Sequence, residues 1–195
     1  MKIFAKICLL SAAFTFISAG TLKKQYVLAK DYSVTIHGTS NLHAWDETVG
    51  LVSGNGTFTP NSDGSSNLED INIKMEVRSI RSSKGAVMNN NTYKALKADV
   101  YPQIIFSISS PVKSIQINTV EKTITAKGNL TIAGVTKPVN LLVKIVMLPQ
   151  GRLLFEGSQS IKMTDYNIKP PTALLGTLKT GNEITIRFKT SFILI

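Results

Sequence analysis

The chain has 195 residues, 43% of them hydrophobic, with 22 Lys+Arg against 12 Asp+Glu and a formal charge of +10. That length fits one domain plus a processed segment. The single cysteine, Cys8, sits in the N-terminal apolar run, so the remainder has no disulfide, thiolate metal site or cysteine nucleophile. Its lysines are scattered singly, without a basic run or aromatic interleaving, which speaks against a nucleic-acid partner. The basic surplus makes a soluble basic surface, able to approach an anionic membrane surface.

Residues 1–20 read as a secretory signal peptide. Lys2 and Lys6 give the positive start, Ile7 to Ile17 the apolar run, and Ser18, Ala19 and Gly20 the small residues a signal peptidase needs. The run is too short to span a bilayer comfortably. Cleavage is expected near Ala19/Gly20, and Cys8 is at the wrong end of the run for a lipoprotein anchor. Residues 21–195 would then form one exported domain, with 20 Lys+Arg against 12 Asp+Glu, or +8.

The pattern after residue 20 is extended. Tyr26 to Ala29 and Ser33 to Thr39 read as short strands, and Glu47 to Phe58 as a longer one interrupted by Gly50, Gly54 and Gly56, as where a sheet bends or closes. Asn61 to Asn67 is a turn by composition. Leu68 to Val77 alternates through Ile71, Ile73, Met75 and Val77. Asn89 to Asp99 is the one helical segment, with an asparagine cap, Tyr93 and Leu96 on one face, and Pro102 as its stop. Ile104, Phe106 and Ile108 open a strand running toward Ile117. Thr123 to Met147 is the clearest signal. Apolar residues at every second position (Ile124, Ala126, Leu130, Ile132, then Val139, Leu141, Val143, Ile145, Met147) make two strands with one dry face each. Gly134 supplies their turn, and Pro138 is expected at the start of the second strand. Leu153 to Ile161 gives another strand, Lys169 to Thr180 a loop or a short turn of helix, and Glu183 to Ile195 a last strand stitched into a sheet. Eight or nine strands, mostly sequence neighbours, predict an all-β antiparallel barrel or sandwich.

No charged residue falls among the inward sets of the clearest strands, so any enclosed ligand would be apolar. Candidate ligand-lining positions are Met75, Val77, Phe106, Ile108, Leu130, Ile132, Val143, Ile145, Phe155 and Phe188. Periodicity alone is equally satisfied by a filled core. His37 and His43, with Asp46 and Glu47, invite a metal hypothesis. The parity of His37 is opposite to that of Val34 and Ile36, however, which points it outward, and His43 lies in a loop beside Trp45. A structural role is therefore favoured, with Trp45 as a plug at the barrel base. Asp165, Tyr166 and Asn167, with Pro170 and Pro171, form a rigid corner or part of a tunnel mouth. Arg78 and Arg81 are either solvated or placed to meet a phosphate or carbonyl head group. With no G-x-S-x-G elbow and no glycine-rich phosphate loop, neither catalysis, a cofactor nor a resident metal is expected.

Five segments in order, VTIHGTSNLHAWDETVG (Val34 to Gly50), YKALKADVYPQIIF (Tyr93 to Phe106), GNLTIAGVTKPVNLLVKI (Gly128 to Ile145), DYNIKPP (Asp165 to Pro171) and LGTLKTGNEITIRF (Leu175 to Phe188), resemble the YceI-like family. The resemblance covers nearly all of residues 21–195. It implies an eight-stranded antiparallel lipocalin-like barrel with a short helix between strands and a long apolar tunnel. It further implies a periplasmic or secreted protein that carries a polyisoprenoid or isoprenoid quinone. A homodimer around one shared chain is compatible with such a tunnel. The alternative is a filled barrel that works through its basic surface.

Overall fold

Strict alternation from Lys122 to Met147 folds as a hairpin of β9 (Lys122–Ile132) and β10 (Val135–Met147) in continuous register. Ala133 and Gly134 both adopt positive φ, 49° and 81°, as a two-residue hairpin turn requires. A side chain at Gly134 would also meet the Tyr101 ring. Pro138 is not at the start of β10 but inside it, opposite Asn129. It is tolerated there because β11 covers only Val143 to Met147 of β10, leaving Pro138 on the uncovered stretch of that edge.

The computed structural model describes residues 22–173 and 176–195, and the expected signal peptide lies outside them. Three long strands near the N-terminus are each broken by a bend. The first is β1 (Lys24–Leu28) with β2 (Ser33–Ser40), the second β3 (Ala44–Val49) with β4 (Val52–Pro60), the third β5 (Ser66–Glu76) with β6 (Ile80–Ser82). The strand expected from Glu47 to Phe58 is therefore two segments, parted at Gly50 and Leu51. Next come β7 (Gln103–Ile108), β9, β10, β11 (Leu153–Lys162) and β13 (Leu178–Leu194), and β13 pairs back to both β1 and β2. Every neighbour is antiparallel, and the pairing of β13 with β1 closes eight strands into a barrel, with edges left at β6 and at the start of β10. The short strands β8 (Val112–Ile115), separate from β7, and β12 (Thr172–Ala173) pair outside this circuit with β5 and β13. The C-terminus is tied in, since Ile195 N–H donates to Gln25 O at 3.0 Å.

Helix α1 spans Ala86–Ala95, three residues earlier than expected at its start, and Gly85 rather than asparagine precedes it. Asn89 is engaged elsewhere: its Oδ1 accepts the Ser82 N–H at 2.8 Å, fastening the helix to β6. The Tyr93 hydroxyl donates to Ile80 O at 2.8 Å, and the guanidinium groups of Arg78 and Arg81 lie 5.7 and 5.8 Å from its ring centre. Arg78 is ion-paired with Asp99. Both arginines therefore secure the helix at the edge of β6. At the bend between β1 and β2, Asp31 joins Ser191 and Arg152. Hydrogen bonding first from Ser191, then from Arg152, holds its carboxyl below the usual range.

Candidate functional site: two apolar chambers in the barrel

Parity decides what faces the lumen. The inward side chains are mostly apolar, and they line two cavities of about 110 Å³ each. On β2, β7, β9 and β11 a step of two residues passes from one cavity to the other. Val34 lines the first and Ile36 the second; likewise Phe106 and Ile104, Leu130 and Ile132, Gln159 and Ile161. Ile186 borders both. The chambers therefore lie end to end along the barrel axis with Ile186 at the neck. Apolar cavities of about this size admit a benzene-sized group. Each chamber thus has room for roughly one isoprene unit, and a longer chain must push through the neck.

Among the described residues lining the first chamber only Gln159 and Thr190 are polar, and Gln159 Nε2 donates to Ser160 O. Seven predicted positions line it: Met75, Phe106, Ile108, Leu130, Val143, Phe155 and Phe188. Ile132 lines the second. Val77 and Ile145 line neither, both being only 1% exposed. Val77 opens a 3-10 turn, Val77–Ser79, where strand alternation stops, and Ile145 lies in register with Phe155, further along β10 than Val143.

Aromatic side chains lie flat on the wall because glycines face them. A Cβ on Gly128 would stand 2.4 Å from the Phe106 ring, one on Gly157 2.7 Å from Phe188, and one on Gly38 2.1 Å from Trp45. Each glycine leaves the space its ring fills, so bulky side chains coat the lumen without crossing it.

The second chamber is different at one end. Helix α1 covers it with Met88, Asn91, Thr92 and Ala95, followed by Leu96 just past its end, and the segment from Met163 to Thr172 adds Met163, Ile168 and Pro171. The corner at Asp165 to Asn167 thus adjoins the chamber wall, with Tyr166 buried and Asn167 left-handed at φ 56°. Trp45 lines this chamber, its Nε1–H donating to Thr39 O at 3.0 Å. Two residues further along β3 is a feature the sequence reading missed. Glu47 is 2% exposed and faces the chamber, where Thr92 Oγ1 donates to its Oε1 at 2.6 Å. Burial pushes its carboxyl pKa up, opposed by the Thr92 hydrogen bond.

His37 points outward, as its parity predicts, with Nδ1 2.8 Å from Asp46 Oδ1, while His43 is exposed. Among the described residues no group of three or more His, Cys, Asp or Glu could hold a metal ion.

A family model for the YceI-like domain matches residues 21–192. The chain belongs to the YceI-like family. Solved structures share the fold of this YceI-like chain at low identity. One is a polyisoprenoid binding domain from Saccharophagus degradans implicated in plant cell wall breakdown (13% identity, TM-score 0.67, 87% of this chain and 98% of that one). Another is Burkholderia cenocepacia BcnA (18%, TM-score 0.59, 82% and 95%). A third is a Campylobacter jejuni YCEI protein (16%, TM-score 0.54, 100% and 93%). No curated protein matches the chain.

Proposed function

We propose that this YceI-like protein is an exported, non-catalytic carrier that buries a long apolar molecule, an isoprenoid or similar lipid, inside its barrel. The observation that carries the reading is the pair of end-to-end chambers, whose walls are almost wholly apolar although the outer surface is basic. The polyisoprenoid binding domain from Saccharophagus degradans, of the same fold, supports the choice of cargo. Burial does the work: each CH₂ withdrawn from water contributes about 0.8 kcal/mol, so the roughly two isoprene units that the chambers hold contribute about 8 kcal/mol with few polar contacts, while the rest of a longer chain extends beyond them. The residues assigned to cargo are the predicted positions that line the chambers, from Met75 on β5 to Phe188 on β13. A basic surface suits collection from an anionic membrane in the periplasm or outside the cell.

The test is capture from vesicles. Protein incubated with vesicles containing a tritiated polyprenol, then separated from them, should retain the label. Leu130→Asp puts a carboxylate into the first chamber and should lower retained label by at least about tenfold. Wild-type protein that retains no label, or a folded Leu130→Asp variant that retains as much as wild type, contradicts the proposal.

A further inference from the structure

A carboxyl group buried in an apolar chamber is costly unless something bonds to it. Glu47 is placed there by the alternation of β3, on the inward face with Trp45 and Val49. Thr92 on α1 satisfies Oε1 at 2.6 Å, and among the described residues no hydrogen bond reaches Oε2. One hydrogen-bonding oxygen of a nearly inaccessible side chain therefore remains for whatever occupies the chamber. Asn91, Thr172 and Thr180 line the same space, whereas the first chamber offers almost nothing polar. The barrel is thus chemically directional, with an apolar chamber for a tail and a polar-ended one for a head.

The charge of that end narrows the head group further. Among the described residues no lysine or arginine lines the second chamber. A phosphate entering it would meet a carboxyl group and no counter-charge, in surroundings where like-charge repulsion is weakly screened. An alcohol or carbonyl end meets instead a group able to donate or accept a hydrogen bond according to its protonation. The interior therefore selects against the anionic lipids that the basic exterior would attract.

We propose that Glu47, steadied by Thr92, is the head-group site of the cargo and selects an uncharged hydroxyl or carbonyl end over a phosphate. This rests on the carrier reading above. Trp45, the sole tryptophan, lines the same chamber, so its fluorescence reports occupancy. Purified, delipidated protein is titrated with geranylgeraniol, geranylgeranyl monophosphate and the saturated hydrocarbon phytane, each delivered from cyclodextrin. Geranylgeraniol should bind about tenfold more tightly than either competitor. Glu47→Leu should bring geranylgeraniol and phytane within roughly threefold of one another, while Glu47→Gln, which still hydrogen-bonds, keeps the preference for the alcohol. Phosphate binding as tight as alcohol binding overturns the head-group assignment. So does a Glu47→Leu variant that keeps the alcohol-over-hydrocarbon preference. If none of the three probes binds saturably, the carrier reading itself fails, and the assignment with it.

Discussion

Replacing Ala126 by phenylalanine separates a hollow barrel from a filled one, because the two accounts predict opposite signs. Ala126 is 5% exposed on β9, opposite Leu141, and its methyl group faces the first chamber. The chamber holds about 110 Å³, close to what a benzene-sized group needs, so the new ring can occupy free space. Filling a void of this kind typically stabilises a fold by about 0.5–2 kcal/mol. Were the lumen already packed, the same ring would strain the wall and cost about 1–3 kcal/mol. The ring would also displace about one isoprene unit of cargo. Five carbons at about 0.8 kcal/mol each amount to roughly 4 kcal/mol, near a thousandfold in affinity. Urea denaturation of delipidated protein gives the stability change, and retention of tritiated polyprenol gives the affinity change. A variant less stable than wild type by 1 kcal/mol or more in about the packed-core range, with cargo retention unchanged, refutes the hollow-barrel reasoning.

Three further variants probe other features of the interior. Ile186→Ala removes the side chain at the neck between the chambers; it should cost about 2 kcal/mol in urea denaturation and speed the uptake of long chains measured by stopped-flow Trp45 fluorescence. Gly128→Val places a Cβ against both the Phe106 ring and Ser107 O, at 2.4 and 2.6 Å; because that carbonyl belongs to the backbone and cannot swing aside, denaturation should show a loss of about 1–3 kcal/mol. Glu47→Gln tests the raised pKa. With the folded value above the unfolded one, the folded state holds its proton longer, so wild-type stability falls as pH rises from the unfolded value to the folded value and is level above it. Among the described residues no other titratable side chain lines that chamber. Glu47→Gln should therefore melt higher than wild type at neutral pH, with the gap closing toward about pH 4, and a gap that widens in acid would reverse the argument.

What the sequence revealed follows from where alternation holds. On β9, on β10 and on β13 from Ile184 onward the period of two holds, so it assigns Leu130, Val143 and Phe188 to the lumen without reference to any partner strand. Parity gives a face but not a depth, which is why Ile145 shares the inward face of Val143 yet lines neither chamber. At Val77 the strand becomes a 3-10 turn and the phase is lost. The helix start was displaced because an asparagine run resembles a cap, whereas Asn89 spends its side chain on Ser82 across the gap to β6. Glu47 was visible in principle: it shares parity with Trp45 and Val49, both buried. A charged residue flanked by Asp46 and close to two histidines reads as a surface cluster, and only closure of β3 against α1 reveals its inward course.

Whether the barrel holds cargo is tested most directly on protein purified from its native host without detergent, extracted with organic solvent and examined by mass spectrometry. The account predicts an isoprenoid or similar long apolar species in stoichiometric amount, ending in an uncharged oxygen group. A blank extract from folded protein would contradict it and leave a barrel that acts through its basic surface on protein partners.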